Sequence, residues 1–466
     1  MPTQLQYISA DGKQTVVDNA PKQTHKARME NLGHRRNYPY SIVQNDSQGN
    51  EQRSTFECDT FFNYSTWSPQ NVSTERDQEA AEQLIAEAGS GPGLCVVLGA
   101  GPLAGAIAKA SDWTVLCVET DQGKIASTRK ALLHEGLYGH RVALLRVDSF
   151  DALPLPSHFA NLVTSQAALD GKPPEVGAGE AFRLLRPLEG TGMFGQLRAT
   201  DAEETVKQFE DYFLRDAVVA TFSADDEGVW ARFVKPALKG AGEWSHQYGR
   251  ADNSAFGGEV LGYASVANEM ETQWVGRPGP RYQPDRNGRK PGPLSTGGRL
   301  FAQGLERIVA LDAYNGTVIW SAEIPAMGRF NIPRDSSNWC ADDDALYAVV
   351  DDQCWQLDAR DGHLRQRFSL PGTAGSSEAL QWSYVGSLGP LLLGSRTKVG
   401  APFEEFRGHA AWYDQPKGPQ SAKVCSDSLF ALSKDSGAAK WEYQQGLILN
   451  PTITATRERV YFVESR

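Results

Sequence analysis

Three stretches of the chain repeat one short pattern, in which Leu and a polar residue precede a turn containing Gly and then an apolar or aromatic residue. The copies lie at residues 310–320, 356–364 and 431–441. Their Asn-Gly, Asp-Gly and Ser-Gly dipeptides supply the positive φ that a tight β-hairpin needs. The first two copies are one period of about 40–50 residues apart, a spacing typical of β-propeller blades. The pattern predicts an all-β repeat region with a hairpin in each unit.

The predicted repeat region extends over residues 244–466, where short β-type runs alternate with Gly, Pro, Asp and Asn turns. At the repeat length of about 40–50 residues it holds about four blades. Propellers have about 4–8 blades and close into a ring to remove exposed strand edges. An insertion near residues 386–425 uses up part of this length. We therefore expect an incomplete propeller, either truncated or completed by another chain.

Upstream, residues 78–243 alternate strand-like and helical patterns. Such alternation predicts a parallel sheet with crossover helices. The predicted strands are 94–98, 114–119, 143–148, 160–164 and 193–197, and the predicted helices are 77–88, 104–110, 122–135 and 180–185. Residues 1–77 are polar and rich in Asn, Gln, Ser and Thr, so we assign them no fold, although an aromatic cluster suggests a docking segment: Phe56, Phe61, Phe62, Tyr64 and Trp67.

Composition excludes several classes of function. The formal charge of −11 over 466 residues argues against a nucleic-acid partner, because phosphate binding requires a basic surface. No run approaches the roughly 18 apolar residues of a membrane span, and no signal peptide is visible at the N-terminus. The six cysteines form no CxxC pair, so we predict no metal site.

A glycine loop follows the first strand of the predicted parallel sheet. Gly99, Gly101 and Gly105 let backbone amides approach a ligand and aim a helix N-terminus at it. Glu119 ends the next strand, where a carboxylate accepts the hydroxyls of a ribose, and Asp148 ends the third strand, within reach of an adenine amino group. These five residues are the candidate cofactor site.

The loop 98–105, Glu119 and Asp148 resemble the cofactor half of class I S-adenosylmethionine (SAM)-dependent methyltransferases. The segment 181–187 is similar to the helix and turn before their fifth strand. The resemblance implies a Rossmann-like fold with Gly99 and Gly101 at the methionine, Glu119 at the ribose and Asp148 at the adenine. Residues 164–168 contain no Asn-Pro-Pro-Tyr type motif, so we name no catalytic residue. The glycine spacing also permits NAD.

The repeats resemble blades of pyrroloquinoline-quinone (PQQ)-type propellers, a group that includes quinoprotein alcohol dehydrogenases and noncatalytic propellers of outer-membrane assembly lipoproteins. In such blades the recurring Trp packs on the neighbouring blade, a role that Trp320 and Trp441 fit. Over residues 90–466 the chain is similar to planctomycete-type proteins that fuse a class I methyltransferase-like Rossmann domain to a PQQ-like propeller. Those proteins are generally exported, in conflict with the missing signal, so the compartment stays open.

A working quinoprotein would need PQQ and a Ca²⁺ site of Glu, Asn and Asp. The acidic run 342–344 has suitable charge, but it lies between two predicted strands, and we interpret it as a solvated turn. His246, Tyr248 and Asn253 are interpreted as a packing cluster of the first blade, with a binding site as the alternative. We do not expect PQQ with calcium.

The sequence therefore predicts a multidomain α/β plus all-β protein with three parts: an unassigned polar segment at 1–77, a Rossmann-like domain at 78–243 and propeller repeats at 244–466. The favoured function is a binding or scaffold protein that presents propeller loops to a protein or polysaccharide and carries a degenerate SAM-binding domain. The alternatives are an active SAM-dependent methyltransferase of unknown acceptor and a quinoprotein dehydrogenase.

Overall fold

The computed structural model describes residues 3–18, 27–33, 35–45, 50–60, 73–260, 262, 266–276, 292–304, 307–325, 327, 338–372, 379–398 and 425–465. The chain forms two compact units, Met1–Gln70 and Asn71–Arg466. None of the described helices is long and apolar enough to cross a membrane.

The first unit is a four-stranded antiparallel sheet, in the order β2-β1-β3-β4. Its strands are β1 (Thr3–Ser9), β2 (Gly12–Asp18), β3 (Asn37–Asn45) and β4 (Glu51–Asp59). Tyr7, Tyr38 and Val43 are buried, whereas β4 is exposed along almost its whole length. Because polar side chains occupy both faces of such a strand, the sequence shows no alternation, and this sheet was not predicted.

The second unit begins with a seven-stranded sheet covered by helices. Its helices are α1 (Glu75–Ala88), α2 (Leu103–Ala110), α3 (Gln122–His134), α4 (Gln166–Leu169), α5 (Ala178–Leu184) and α6 (Ala202–Arg215). Its strands are β5 (Leu94–Leu98), β6 (Thr114–Glu119), β7 (Val142–Arg146), β8 (Leu162–Ser165), β9 (Thr191–Leu197), β10 (Thr221–Ala224) and β11 (Gly228–Val234). The predicted alternation of strands and helices is confirmed, but α4, α6, β10 and β11 were not predicted.

The strand order β10-β11-β9-β8-β5-β6-β7 places β5 and β8 at the centre of this sheet. Strands β5 to β9 are parallel to one another, and β11 is antiparallel to both β9 and β10. The order reverses between β5 and β8, and in such sheets ligands bind in the crevice outside the carboxyl ends of the strands at that switch point. Both the glycine loop after β5 and the residues after β8 therefore border this crevice.

Local sequence explains where the helices begin. Thr74 caps α1 in a capping box with Asp77, and Asp121 and Asp201 cap α3 and α6 through their side chains. The third parallel strand ends at Arg146, two residues before Asp148, so Asp148 does not end the strand as predicted. Apolar strands such as β5 and β8 are buried on both faces, as the covering helices require.

The all-β part contains three four-stranded antiparallel sheets, which we call blades 1 to 3. Blade 1 is β12 (Leu294–Thr296), β13 (Arg299–Gly304), β14 (Arg307–Asp312) and β15 (Val318–Glu323). Blade 2 is β16 (Trp339–Ala341), β17 (Ala345–Val350), β18 (Gln353–Asp358) and β19 (Leu364–Ser369). Blade 3 is β20 (Leu380–Leu388), β21 (Leu391–Lys398), β23 (Ser428–Ser433) and β24 (Ala439–Tyr443).

Two smaller sheets complete the described all-β part. One contains β22 (Cys425–Ser426), β25 (Leu447–Leu449) and β28 (Glu464–Ser465), and the other pairs β26 (Thr454–Ala455) with β27 (Val460–Tyr461). Short 3₁₀ turns occupy Ala267–Glu269 and Asn450–Thr452. No α-helix follows Arg215 among the described residues, as the sequence predicted for the repeat region.

The three sequence repeats form the same turn in each blade. Gly316, Gly362 and Gly437 all have positive φ, and each donates its backbone N–H to the carbonyl of the residue four positions earlier, at 2.8–2.9 Å. Each blade also has a register shift just before its turn, at 310/311, 356/357 and 431/432. The repeat prediction is therefore confirmed at the level of individual hydrogen bonds.

Tryptophans pack over two of these turns. Trp320 of blade 1 donates its indole N–H to Ala359 O of blade 2 at 3.0 Å, as the packing role predicted for it requires. Trp274, which precedes blade 1, makes the same contact with Ala313 O at 2.9 Å. Trp441 on β24 is 37% exposed. The turn of blade 1 is thus covered by a segment outside the blades.

The turn of blade 1 is also attached to the α/β sheet. Asn315 Nδ2 donates to Phe159 O at 2.8 Å and to Asn161 Oδ1 at 2.9 Å. Arg186 Nε lies 3.3 Å from Asp312 Oδ2. Asn161 Oδ1 also accepts the backbone N–H of Leu94 at 2.9 Å, so one side chain joins β5 to the blade. We call these contacts the domain joint.

Candidate functional site

The glycine loop adopts the conformation that its sequence predicts. Gly99 has φ +90°, which favours glycine, and its N–H donates to Val118 O at 2.8 Å. The loop leads into α2 at Leu103 and therefore points the helix N-terminus toward the switch-point crevice. The loop and helix are thus arranged as in a ligand-binding βα turn.

Glu119 lies beside this loop, at the end of β6, and is fully buried. Its Oε2 accepts the Ala100 N–H at 3.0 Å, and its Oε1 accepts the N–H groups of Thr120 and Asp121 at 2.8 and 2.9 Å. Burial would raise the pKa of this carboxyl, but the backbone donors and the Lys124 ammonium, 3.4 Å away, outweigh burial and lower it. The carboxylate is ionised and its oxygens are largely occupied by the chain itself.

Gln166, the first residue after β8, extends across the crevice to the loop. Its Oε1 accepts the Leu103 N–H at 3.0 Å, which takes one of the free donors at the α2 N-terminus. A Cβ built on Gly101 would lie only 2.3 Å from this oxygen, so the side chain is packed directly against the loop. Gln166 is 4% exposed. The switch-point crevice is therefore filled at the glycine loop by a side chain of the protein.

Further contacts hold Gln166 in this position. Its Nε2 donates to Asp170 Oδ1 at 3.3 Å, and the same carboxylate oxygen accepts Arg76 at 2.5 Å. Both ends of the amide are thus hydrogen-bonded, one to the helix N-terminus and the other to an ion pair. A side chain restrained at both ends leaves the loop less readily than a free rotamer would.

The remaining two candidate residues lie away from this contact. A Cβ on Gly105 would meet Glu135 Oε2 at 2.6 Å, so this glycine permits close packing of α2 against the residue after α3. Glu135 is itself buried and accepts Lys109 at 2.8 Å. Asp148 is exposed, beyond the end of β7. The structure thus brings Gly99, Gly101 and Glu119 together, whereas Gly105 packs against α3 and Asp148 faces solvent.

A second candidate site is a cavity of about 530 Å³ in the blades. It is lined by the β16–β17 turn, the β20–β21 turn and the residues after β23, and we call this side of the blades the turn face. At its wall, Lys434 donates to Asp342 Oδ2 and to Ser387 Oγ, both at 2.7 Å. Ser387 Oγ in turn donates to Asp342 Oδ2 at 2.9 Å. Burial would raise the pKa of Asp342, but Lys434 and Ser387 lower it overall. This triad links blade 2 to blade 3.

His246 lies behind the triad and is 6% exposed. Its Nε2 accepts the backbone N–H of Ser387 at 3.0 Å, and its Nδ1 lies 2.8 Å from Ser245 Oγ. Because Nε2 accepts, the ring proton of the neutral imidazole is on Nδ1. Burial, together with the nearby Lys434 charge, lowers the pKa of His246 to about 4. The ring is therefore neutral at pH 7.

The acidic run at 342–344 forms the turn that its position predicted. Asp342 Oδ1 accepts the N–H groups of Asp344 and Ala345 at 3.1 and 2.9 Å. Asp343 accepts Thr296 Oγ1 at 2.6 Å and, after burial, is the main cause of the raised pKa of Glu243. No group of three His, Cys, Asp or Glu residues that could hold a metal ion occurs in the described part of the chain.

Sequence reasoning missed Gln166, Lys434 and Ser387. Gln166 is a polar residue directly after a buried parallel strand, and that position is itself a signal for the carboxyl-edge crevice. Lys434 and Ser387 are separated from Asp342 by about one or two repeat units, and no local spacing relates them. The interpretation of His246 and Asn253 as part of a first-blade packing cluster is wrong. His246 accepts the Ser387 N–H of blade 3, and Asn253 donates to Ile453 O at 2.8 Å, beyond blade 3.

Comparison with known proteins covers both parts of the second unit. Residues 215–466 match the family described as outer membrane protein assembly factor BamB. An inferred SAM-dependent methyltransferase from Methanococcus maripaludis is 18% identical with a TM-score of 0.31, covering 35% of this chain and 87% of that one. A SAM-dependent methyltransferase from Aquifex aeolicus is 13% identical with a TM-score of 0.28, covering 35% and 95%. No curated protein matches.

The two-part arrangement predicted from the sequence is confirmed: a Rossmann-like, mostly parallel sheet is followed by blades of a partial PQQ-like β-propeller. The family match spans more than half of the chain and includes all three blades. The chain therefore belongs to the family of the outer membrane protein assembly factor BamB.

Proposed function

We propose that this chain is a binding and scaffold protein, in which the propeller carries the binding surface and the α/β domain has lost the use of SAM. The observation that carries the proposal is the Gln166 side chain, which fills the crevice at Gly101 and occupies the Leu103 N–H. A cofactor bound in the same place would have to displace a buried amide that is hydrogen-bonded at both ends.

Glu119 supports the same conclusion. The resemblance to methyltransferases assigns this carboxylate to the ribose hydroxyls, but here it holds the glycine loop and the start of α3 through backbone N–H groups. A ribose would compete with those donors. The residues present therefore do not fit SAM in the conformation of this structure, and no methyl-transfer step is derived.

The domain joint gives the α/β domain a structural role in this proposal. Asn161 and Asn315 connect the central strand β5 to the turn of blade 1, and Arg186 pairs with Asp312. A domain fixed in this way orients the first blade. The binding surface would be the turn face with the 530 Å³ cavity, and its partner a protein or polysaccharide.

Calorimetric titration of the full chain with SAM and S-adenosylhomocysteine tests the proposal. We expect no heat of binding for the wild type at micromolar concentrations. Gln166→Gly empties the space above Gly101, and we expect it to gain measurable affinity for SAM. Micromolar binding by the wild type, abolished by Glu119→Ala alone, would overturn the proposal.

Micromolar binding of SAM by the wild type would favour an active methyltransferase, the alternative supported by the strand order and by Glu119 at the end of β6.

We also propose export as the compartment of this protein, on the basis of the resemblance to exported fusion proteins. Cell fractionation with an antibody against the chain would test it, and recovery only with cytoplasmic proteins would contradict it.

A further inference from the structure

Asn315 and Gly316, in the turn of blade 1, form an Asn-Gly dipeptide. Asparagine is a thermolabile residue, and a glycine after it favours deamidation because it has no side chain to shield its backbone nitrogen. In this reaction the Gly316 nitrogen attacks Asn315 Cγ, the Cγ–Nδ2 bond breaks, and ammonia leaves with the proton of the Gly316 N–H. Water then opens the resulting succinimide to aspartate or isoaspartate. The dipeptide therefore places a reactive amide in the domain joint.

Both reacting groups are engaged in hydrogen bonds in the structure. The Gly316 N–H donates to Asp312 O at 2.9 Å. Asn315 Nδ2 donates across the joint to Phe159 O at 2.8 Å and to Asn161 Oδ1 at 2.9 Å. Attack on Cγ requires the amide to leave these partners, so the joint has to open before Asn315 reacts.

The equivalent turn of blade 2 shows which of these hydrogen bonds belong to the joint. There an aspartate, Asp361, accepts the N–H two residues later at 2.9 Å, a bond that Asn315 makes with the same length. Gly362 matches Gly316 in its positive φ and in its hydrogen bond to the carbonyl four residues earlier. The turn itself therefore accepts aspartate as well as asparagine, whereas the joint requires the Nδ2 donor.

Deamidation replaces a donor of the joint by an acceptor. An aspartate in this turn has no N–H for Phe159 O or Asn161 Oδ1, and its negative charge faces both oxygens. Turning the Asn161 amide around to offer its Nδ2 would give up the Leu94 N–H, which Oδ1 accepts at 2.9 Å. The Arg186 guanidinium is already paired with Asp312, at 3.3 Å. The joint therefore does not close again over the product.

We propose that Asn315 is a deamidation site whose reaction uncouples the propeller from the α/β domain in one direction only. The closed joint protects the amide, and opening of the joint allows it to react. Because ammonia is lost, the change is permanent, and the uncoupled fraction grows with the age of the protein and with conditions that open the joint. The inference is independent of the proposed loss of SAM binding, since the glycine loop and Gln166 take no part in it.

The protection is tested in the full chain with Asp361→Asn, which places the same dipeptide in a turn outside the joint. The two turns are well matched, because Gly316 lies under Trp274 and Gly362 lies under Trp320. Mass spectrometry of proteolytic peptides follows deamidation at both positions in one sample. We expect position 361 to react about tenfold faster than Asn315, whose amide is held by two additional hydrogen bonds. Equal rates, or faster reaction at Asn315, would overturn the proposal.

The consequence of the reaction is tested separately with Asn315→Asp, which encodes one of the two products. We expect scanning calorimetry to show separate transitions for the α/β domain and the propeller in this variant, and coupled transitions in Asp361→Asn. The turn of blade 2 indicates that the blade itself still folds with aspartate in this place. A single transition of Asn315→Asp at the wild-type temperature would overturn the proposal, because the joint would then accept the product.

Discussion

His246 is held neutral in the propeller because burial and the Lys434 ammonium outweigh the Asp252 and Asp342 carboxylates, which favour the imidazolium. The ring is buried, its Nε2 accepts a backbone N–H, and the Lys434 ammonium is close enough to oppose a second positive charge. Folding therefore excludes a proton that the unfolded chain would bind at mildly acid pH. The residue links the stability of the blades to pH.

The pKa of His246 is about 4 in the folded chain, below its ordinary value of 6.5. As pH falls from 6.5 to 4, the unfolded chain binds a proton that the folded chain does not, so His246 lowers stability by roughly 3 kcal/mol over that window. We expect His246→Gln to remove this dependence. Chemical denaturation of both proteins at several pH values measures the difference, and a difference that is constant with pH would contradict the assignment.

At the scale of the element, the blade turn combines two requirements in one residue. Gly362 has φ +76°, and a Cβ there would lie 2.7 Å from the Trp320 ring. Gly389, in the β20–β21 turn, has φ +54° but open space around its Cα. Alanine substitutions at the two glycines therefore separate the cost of backbone strain, which both share, from the cost of a clash with the Trp320 ring, which only Gly362 has.

We expect Gly389→Ala to cost about 1 kcal/mol of unfolding free energy, the penalty for a left-handed alanine. Gly362→Ala should cost about 2–4 kcal/mol, because it adds displacement of a packed indole. Urea denaturation of the two variants provides the comparison. Equal losses would show that Trp320 yields freely and does not hold the blades together.

The turns were predictable because their determinants are local. Asn-Gly, Asp-Gly and Ser-Gly lie within the hairpins that they form, and the same holds for the glycine loop between β5 and α2. The role of Gln166 was not predictable in this way, since it depends on β5 and β8 being neighbours in the sheet. Trp274 was missed as a blade tryptophan because it comes from a segment without a strand pattern.

For the whole molecule, we expect the domain joint to couple the unfolding of the two parts of the second unit. Asn315 and Asp361 occupy equivalent turn positions, and each accepts the N–H two residues later at 2.9 Å. Asn315 also donates to Phe159 and Asn161 in the α/β domain, contacts that Asp361 has no N–H group to make. Comparing the two positions isolates the joint from the turn.

We expect Asn315→Ala to separate the calorimetric transitions of the α/β domain and the propeller, because it removes two hydrogen bonds between them. Asp361→Ala loses the same local turn contact and should shift the melting temperature without separating transitions. Differential scanning calorimetry of the full chain distinguishes these results. Identical thermograms for the two variants would mean that the two parts are coupled by other contacts.

The position of Trp274 has a consequence for the direction in which the blade array can grow. Linear repeat arrays need a terminal cap, since an uncovered repeat face attracts another copy. Here Trp274 and the α/β domain cover the turn of blade 1, which a preceding repeat would otherwise cover. The array therefore has a direction. Duplication or exchange of repeats in evolution could add units after blade 1, whereas insertion of a unit before blade 1 would require breaking the contacts of Trp274 and Asn315.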